Sequence, residues 1–306
     1  QSINLMNKLK EHFRRMQTVA TLHGLKAVLA IYLTKIPVIK DIVKLLFGQL
    51  LIKTKILGNV MYIDAGDLGL HRKLLLKGIR EVEHTDQIMR NVKPGMVGIE
   101  IGANIGYFAL ISARLVGESG KVYCIEPEPK NLKLLWKNIK ANKFENRVKV
   151  FQYLIGDHNG REKLYLSEFA NVHSLSSNHP KANRGFIEVP MITLDSFLEE
   201  NNLKPEEVDF IRMDIEGYEV MAFQGMQKLF KANHPLKIFM EFHPAYYPEW
   251  GWTFESLLRY LNSFGFKVRE IAKKSMILKN PSIGEILAMQ ENTKDDGSQA
   301  FLERAV

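Results

Sequence analysis

From residue 85 onward, short apolar runs alternate with stretches of helical period, and this alternation constrains the fold more than any other feature of the chain. The runs at 96–101, 121–125 and 148–155 read as strands, and 107–115 and 130–142 between them read as helices. Strands separated by helices of that length imply βαβ units and a mostly parallel sheet. The pattern breaks at 156–205, where 164–166 and 186–189 read as short strands around a polar loop. It resumes with a strand at 208–213, a helix near 218–231, a strand at 236–242 and a helix at 253–263. The runs at 266–271 and 275–278 lie too close for a helical crossover, so they are expected to pair as an antiparallel hairpin. The expected class is therefore α/β, a doubly wound and mostly parallel sheet with an antiparallel C-terminal hairpin. The polar stretch 291–298 predicts that the tail, 281–306, is partly mobile.

Charge separates the N-terminal fifth from this body. Of 42 Lys and Arg and 34 Asp and Glu, residues 1–60 hold ten basic and two acidic groups, which leaves 32 of each sign in 61–306. A neutral body does not suit a nucleic-acid enzyme with a positive groove, so no nucleic acid is expected as partner. The basic segment reads as three helices, at 3–20, 25–34 and 37–53. On a helical wheel the third gathers Lys40, Asp41, Lys44 and Gly48 into a narrow stripe and fills most of the remaining arc with apolar residues. The domain scheme is thus 1–60 as a basic helical segment, 61–280 as the catalytic body and 281–306 as tail. The segment's apolar arc must be covered by the body, by a second copy of the chain or by a membrane surface. No run of about 18 uncharged apolar residues exists to cross a bilayer, and no secretory signal pattern is visible. The single Cys124, in an apolar strand, is expected to be buried and inert. The expected location is cytoplasmic, with peripheral attachment to the cytoplasmic membrane face as the alternative to a free or homo-oligomeric enzyme.

The most specific local signal is Gly98-Ile99-Glu100-Ile101-Gly102-Ala103-Asn104-Ile105-Gly106-Tyr107-Phe108, at a strand-to-helix turn. A dinucleotide fingerprint starting at Gly102 would need glycines at 104 and 107, where Asn104 and Tyr107 stand. An acid before the first glycine points instead to S-adenosylmethionine (AdoMet). Glu100 is placed to accept from the cofactor ammonium, and Gly102 and Gly106 let the backbone come close, beside Asn104, Tyr107 and Phe108. Glu126 closes the next strand 24 residues after Gly102 and suits the ribose hydroxyls. Asp157, after the third strand, suits the adenine amino group or simply a turn.

With these residues in place, the sequence resembles the FkbM family of AdoMet-dependent methyltransferases. The stretches that carry the resemblance are Glu100 to Phe108, Ile125-Glu126-Pro127-Glu128-Pro129, Thr193-Leu194-Asp195-Ser196-Phe197, Met213-Asp214-Ile215-Glu216-Gly217-Tyr218-Glu219 and Glu241-Phe242-His243-Pro244. They cover about 90–245, and Glu100 stands where the family more often has Asp. The resemblance implies a Rossmann-like class I methyltransferase fold and O-methylation of a sugar or polyketide-type hydroxyl, here in a glycan or glycolipid. A base from the ends of the fourth and fifth strands would take the hydroxyl proton. His243 is the first choice, since imidazole titrates near neutrality. Asp214, Glu216 and Glu241 are the other candidates; Asp214 and Glu241 orient substrate or cofactor, with Asp214 also touching the cofactor, or together hold a divalent cation, and Glu216 with Gly217 is alternatively structural. The acceptor pocket is expected from the irregular segment 168–186, with Asn171, His173, Ser174 and Arg184, and from Tyr246, Tyr247, Trp250 and Trp252. Methylation of a polyketide, lipid headgroup or protein is the alternative, and a non-catalytic membrane-attached scaffold is a reading from another class.

Overall fold

Most of the runs read as strands are buried on both faces, as a parallel sheet between two helix layers requires. The computed structural model describes residues 50–67, 69–232, 235–273, 276–291 and 297–304. It shows these runs as β3 (Val97–Ile101), β4 (Lys121–Ile125), β5 (Val148–Phe151), β9 (Phe210–Met213) and β10 (Lys237–Phe242). They lie parallel in the order β10-β9-β3-β4-β5. The chain runs outward from β3 through β4 to β5, then returns on the other side of β3 as β9 and β10. The order therefore reverses between β3 and β9, and their carboxyl ends form the crevice where a doubly wound sheet takes its ligands.

Helices α1 (Leu70–Lys77), α2 (Val82–Asn91), α3 (Tyr107–Val116) and α4 (Pro129–Ala141) pack on one face, joining Leu74, Ile88, Phe108 and Leu135 to Phe210 and Phe239 of the sheet. The opposite face carries α5 (Leu194–Glu200), α6 (Glu219–Gln224), α7 (Gln227–Lys231) and α8 (Phe254–Ser263), which bury Phe197, Val220, Leu229 and Leu257 against Ile99, Ile101 and Met240. Cys124 is buried, and burial pushes its thiol pKa up.

Three expectations need correction. Residues 51–53, read as the end of a helix, belong to β1 (Leu51–Ile56), which pairs with β2 (Asn59–Asp64) in an antiparallel hairpin. Ile52, Thr54 and Ile56 face inward while Lys53 and Lys55 face out, and Leu57 (φ 46°) with Gly58 (φ 80°) makes a two-residue turn of the primed kind. This hairpin straddles the expected boundary at residue 60. The rest of the N-terminal helices, through residue 49, lies outside the described residues.

The run 148–155 is two strands, β5 and β6 (Leu154–Ile155), and the second belongs to another sheet. That sheet runs β6-β8-β7, with β7 (Gly160–Tyr165) and β8 (Phe186–Ile192). The described parts of the tail, 281–291 and 297–304, are also structured. They supply α9 (Ile283–Glu291) and β13 (Ser298–Arg304), and β13 lies between β10 and β11 (Phe266–Lys273), antiparallel to both. The expected hairpin exists as β11 with β12 (Met276–Lys279), but at the sheet edge beyond β13. No helix among the described residues is long and apolar enough to cross a membrane.

Candidate active site

At the end of β3 the chain turns through Gly102 (φ 78°), where an added Cβ would stand 2.2 Å from the Asp214 carbonyl oxygen. Only glycine lets the ends of β3 and β9 approach this closely. Two residues on, Asn104 (φ 50°) turns its backbone N–H to donate to Glu126 Oε2 at 2.7 Å. Glu126, at the end of β4, also accepts from the Glu128 N–H (3.0 Å) and from Asn131 Nδ2 (3.3 Å). Burial nevertheless outweighs these donors and pushes its pKa up to about 7. The side-chain amides of Asn104 and Asn131 both donate to the Ala170 carbonyl (2.7 and 2.8 Å), and Asp67 Oδ2 accepts from the Ala170 N–H at 2.9 Å. The loop 167–171 is thus strapped over the crevice, and Ala170 and Asn171 join the lining of the pocket there.

The pocket is polarised along its length. Ile125, Pro127, Tyr153, Leu154 and Ile155 line it beyond β4, whereas Arg80, Arg212, Asp214 and Glu216 line it beyond β9. Arg80 Nη2 and Arg212 Nη2 both reach Asp214 Oδ2, at 3.2 and 3.1 Å. Arg80 Nε is paired with Glu81, and Arg212 Nη2 stands 3.7 Å from the same Glu81. Burial alone would raise the Glu81 pKa, but Arg80 and then His84 and Arg212 hold it well below the usual carboxylate range. Arg212 also lies over the Phe108 ring at 4.2 Å and is 3% exposed, so its guanidinium is fixed in place.

Glu216, at φ 53°, projects into the pocket wall and makes no side-chain hydrogen bond among the described residues. Burial raises its pKa to about 7, with His243 pulling it down and Asp214 pushing it up. His243 Nε2 stands 3.9 Å from Glu216 Oε2, and its Nδ1 pairs at 2.9 Å with Glu219, which is fully buried. Burial opposes charge on this ring, yet Glu219, Glu216 and Glu241 together raise its pKa well above the ordinary value.

Residues 100–268 match the family profile described as the methyltransferase FkbM domain, more than half of the chain. The chain belongs to the FkbM methyltransferase family. Among curated proteins, the protein-L-isoaspartate O-methyltransferase of Methanothrix thermoacetophila is 34% identical over 56 residues, which is 18% of this chain and 27% of that protein. The chain thus spans about a quarter of that relative's length. Among solved structures, a putative transferase from Pyrococcus horikoshii has 14% identity and a TM-score of 0.44, with 90% of this chain and 83% of that one covered. An O-methyltransferase from Thermotoga maritima has 14% identity and a TM-score of 0.41, with 74% and 66% covered.

In this family member the structure brings Gly102, Asn104, Tyr107, Phe108, Glu126, Asp214, Glu216, Asn171 and His173 into one pocket. Gly106 stands behind it as the left-handed residue opening α3. Glu100 departs from its expected role. It is fully buried behind the pocket, where it accepts from Ser112 Oγ at 2.7 Å, and its pKa is pushed up to about 7 by burial. Asp157 is off the pocket and bonds His158 at 2.9 Å and the Tyr218 hydroxyl at 3.4 Å. His243 is likewise not in the lining; it stands behind Glu216, with Nδ1 on Glu219.

The expected aromatic wall is packing instead. Tyr246 stacks on His179, Trp250 meets Tyr218 and Trp252 meets Tyr260 edge to face, and Tyr247 is fully buried and receives the His243 N–H. Ser174 is buried and its hydroxyl reaches the Glu216 carbonyl at 3.5 Å, and Arg184 is exposed. Asp214 and Glu241 do approach one another. Ligand-type atoms of Glu81, Asp214 and Glu241, and of Asp214, Glu216 and His243, lie within 4.8 Å in each set. Asp214 Oδ2 is already shared by two guanidinium groups, and burial lifts the Glu241 pKa to about 8, with Glu81 and Asp214 adding to it. Arg80, Glu81, Arg212 and Asn131 are the functional neighbours that sequence reading missed. Arg212 left a trace, as a charge inside the apolar run 208–213.

Proposed function

We propose that the methyltransferase transfers a methyl group from AdoMet to a hydroxyl of a sugar, in a glycan or a lipid-linked glycan. The order of groups along the pocket fits AdoMet: an apolar wall for a flat base, a buried carboxylate for a ribose diol, and a charged end for an amino acid. Glu126 keeps about one lone pair beyond the three it uses, on Oε2, so a ribose hydroxyl can still donate to it. When bound there, AdoMet supplies a methyl group activated by its positively charged sulfur.

The observation that carries the reading is Glu216. Glu216 lines the pocket beside the charged end, has no side-chain hydrogen bond among the described residues, and carries a pKa near that of an efficient base at neutral pH. Glu216 accepts the hydroxyl proton as the oxygen gains its methyl group, and the His243 imidazolium faces it to stabilise the carboxylate form. Glu219 holds that ring in orientation through Nδ1. His173 adds a donor. Burial lowers its pKa to about 4, and Nδ1 accepts from the Ser167 N–H at 3.0 Å, so the neutral ring carries its proton on Nε2. A fixed N–H donor and the Asn171 amide suit an acceptor rich in hydroxyls. The test is mass spectrometry of glycans and lipid-linked glycans incubated with AdoMet and the full chain. A mass increase of one methylene unit that needs both supports the reading, while methylation on nitrogen or carbon overturns it.

A further inference from the structure

The charged end of the pocket contains more donors and acceptors than its internal ion pairs consume. Arg80 uses Nε on Glu81 and Nη2 on Asp214, and Nη1 carries no hydrogen bond among the described residues. On the other partner of that ion pair, Asp214 Oδ1 is shut off from solvent and makes no hydrogen bond. Leaving such an atom unsatisfied is costly, so a ligand donor placed there is favoured. One donor and one buried acceptor without hydrogen bonds among the described residues therefore sit on a single ion pair whose inner contact is 3.2 Å long.

That arrangement is the complement of an α-amino acid, whose carboxylate and ammonium groups leave the same carbon. We propose that Arg80 is the specificity residue that reads the carboxylate of the AdoMet methionine, with Asp214 Oδ1 taking the adjacent ammonium; this rests on the reading of the pocket as an AdoMet site. Direction along the crevice agrees. If the ribose sits at Glu126, the apolar wall beyond β4 takes the base and the amino acid must extend toward β9, where Arg80 and Asp214 are.

The alternative cation, Arg212, is already committed. Its Nη1 points at the Gly102 carbonyl at 3.4 Å, its Nη2 at Asp214, and its plane is pinned on Phe108. Arg80 is better exposed, at 15% against 3% for the Arg212 side chain. Its main chain is held from both sides by one hydroxyl, because Tyr107 Oη accepts from the Arg80 N–H at 3.1 Å and lies 3.3 Å from the Arg80 carbonyl. Thr85 Oγ1 donates to the same carbonyl at 2.7 Å. A guanidinium with a clamped backbone and one anchored edge presents its outer edge without further ordering cost.

The test is a set of calorimetric titrations of the full chain with AdoMet and with decarboxylated AdoMet, the same sulfonium nucleoside without the carboxylate. The unmodified chain is expected to bind AdoMet roughly ten- to a hundredfold more tightly, the range of one charge-assisted hydrogen bond. Arg80→Gln is expected to weaken AdoMet by a similar factor and leave the decarboxylated ligand unchanged, so that discrimination disappears. Arg80→Lys, which keeps the charge, is expected to retain part of it. Equal affinity of the unmodified chain for both ligands overturns the assignment without any variant. Equal weakening of both ligands by Arg80→Gln also overturns it, since a merely structural role predicts that. Binding of neither ligand by the unmodified chain removes the AdoMet site itself along with it.

Discussion

Glu216 is held in a left-handed backbone conformation that is strained for a residue with a side chain, and the strain places its carboxylate in the pocket wall. Glu216→Gln keeps the shape and removes the base. Turnover is expected to fall roughly 10²–10⁴-fold while AdoMet affinity stays unchanged. In the unmodified enzyme kcat should rise with pH through about 7, since the base works ionised, and the variant should lose that rise. A pH–rate profile beside a binding isotherm checks both.

Glu100 gives a prediction about stability. Its folded pKa of about 7 lies above the ordinary carboxylate value, so the folded state holds a proton that the unfolded chain releases. Its contribution is full at low pH and is lost as pH rises through about 7, with a slope of up to about 1.4 kcal/mol per pH unit. Urea unfolding between about pH 5 and about pH 7 should therefore show a shallower pH dependence for Glu100→Gln than for the unmodified chain; equal slopes contradict it. The same residue shows why the sequence misled. β3 is buried on both faces, so it has no polar alternation to reveal that Glu100 points toward Ser112 on α3 while Ile99 and Ile101 face the other layer.

At the scale of elements, the legible parts were those with a clear period: β3, β4, α3, α4, β9 and β10 stand where the alternation placed them. The β1–β2 hairpin was hidden because an apolar-rich window fills a helical wheel as readily as one face of a strand. Lys53 and Lys55 alternating with Ile52, Thr54 and Ile56 before Leu57-Gly58 carried the competing signal. The partner of its open edge lies far away in the chain. Asn138 on α4 accepts from the Tyr62 N–H at 2.6 Å and donates to its carbonyl at 3.3 Å, and Asn142 exchanges bonds of 2.8 and 2.7 Å with Val60. Two asparagines one helical turn apart thus act as a substitute strand. Asn138→Ala leaves buried backbone groups unpaired and is expected to cost about 1–3 kcal/mol in chemical unfolding. A loss within experimental error contradicts this role. Arg80 was invisible at the same scale, since it lies 134 residues from Asp214 and outside any periodic run.

For the molecule as a whole, the polar stretch after 290 concealed the strand that completes the sheet. β13 lies between β10 and β11, with Phe301 stacked on Phe239 at 5.1 Å and Arg304 Nη1 donating to the Phe230 carbonyl. A chain truncated before Ser298 should lose cooperative unfolding, because β10 and β11 each lose one partner and the β11–β12 edge is cut off from the rest of the sheet; a retained sharp transition contradicts this. The charge asymmetry keeps its meaning as a property of the N-terminal segment, whereas chemistry in the body depends on a few charges concentrated at the β9 end of one pocket. The central claim is that this pocket holds AdoMet with Glu126 under its ribose. Calorimetric titration of the full chain with AdoMet tests it most directly. Saturable one-site binding, weakened roughly ten- to a hundredfold by Glu126→Gln, is the predicted result, and the absence of binding by AdoMet and by its demethylated product would contradict it.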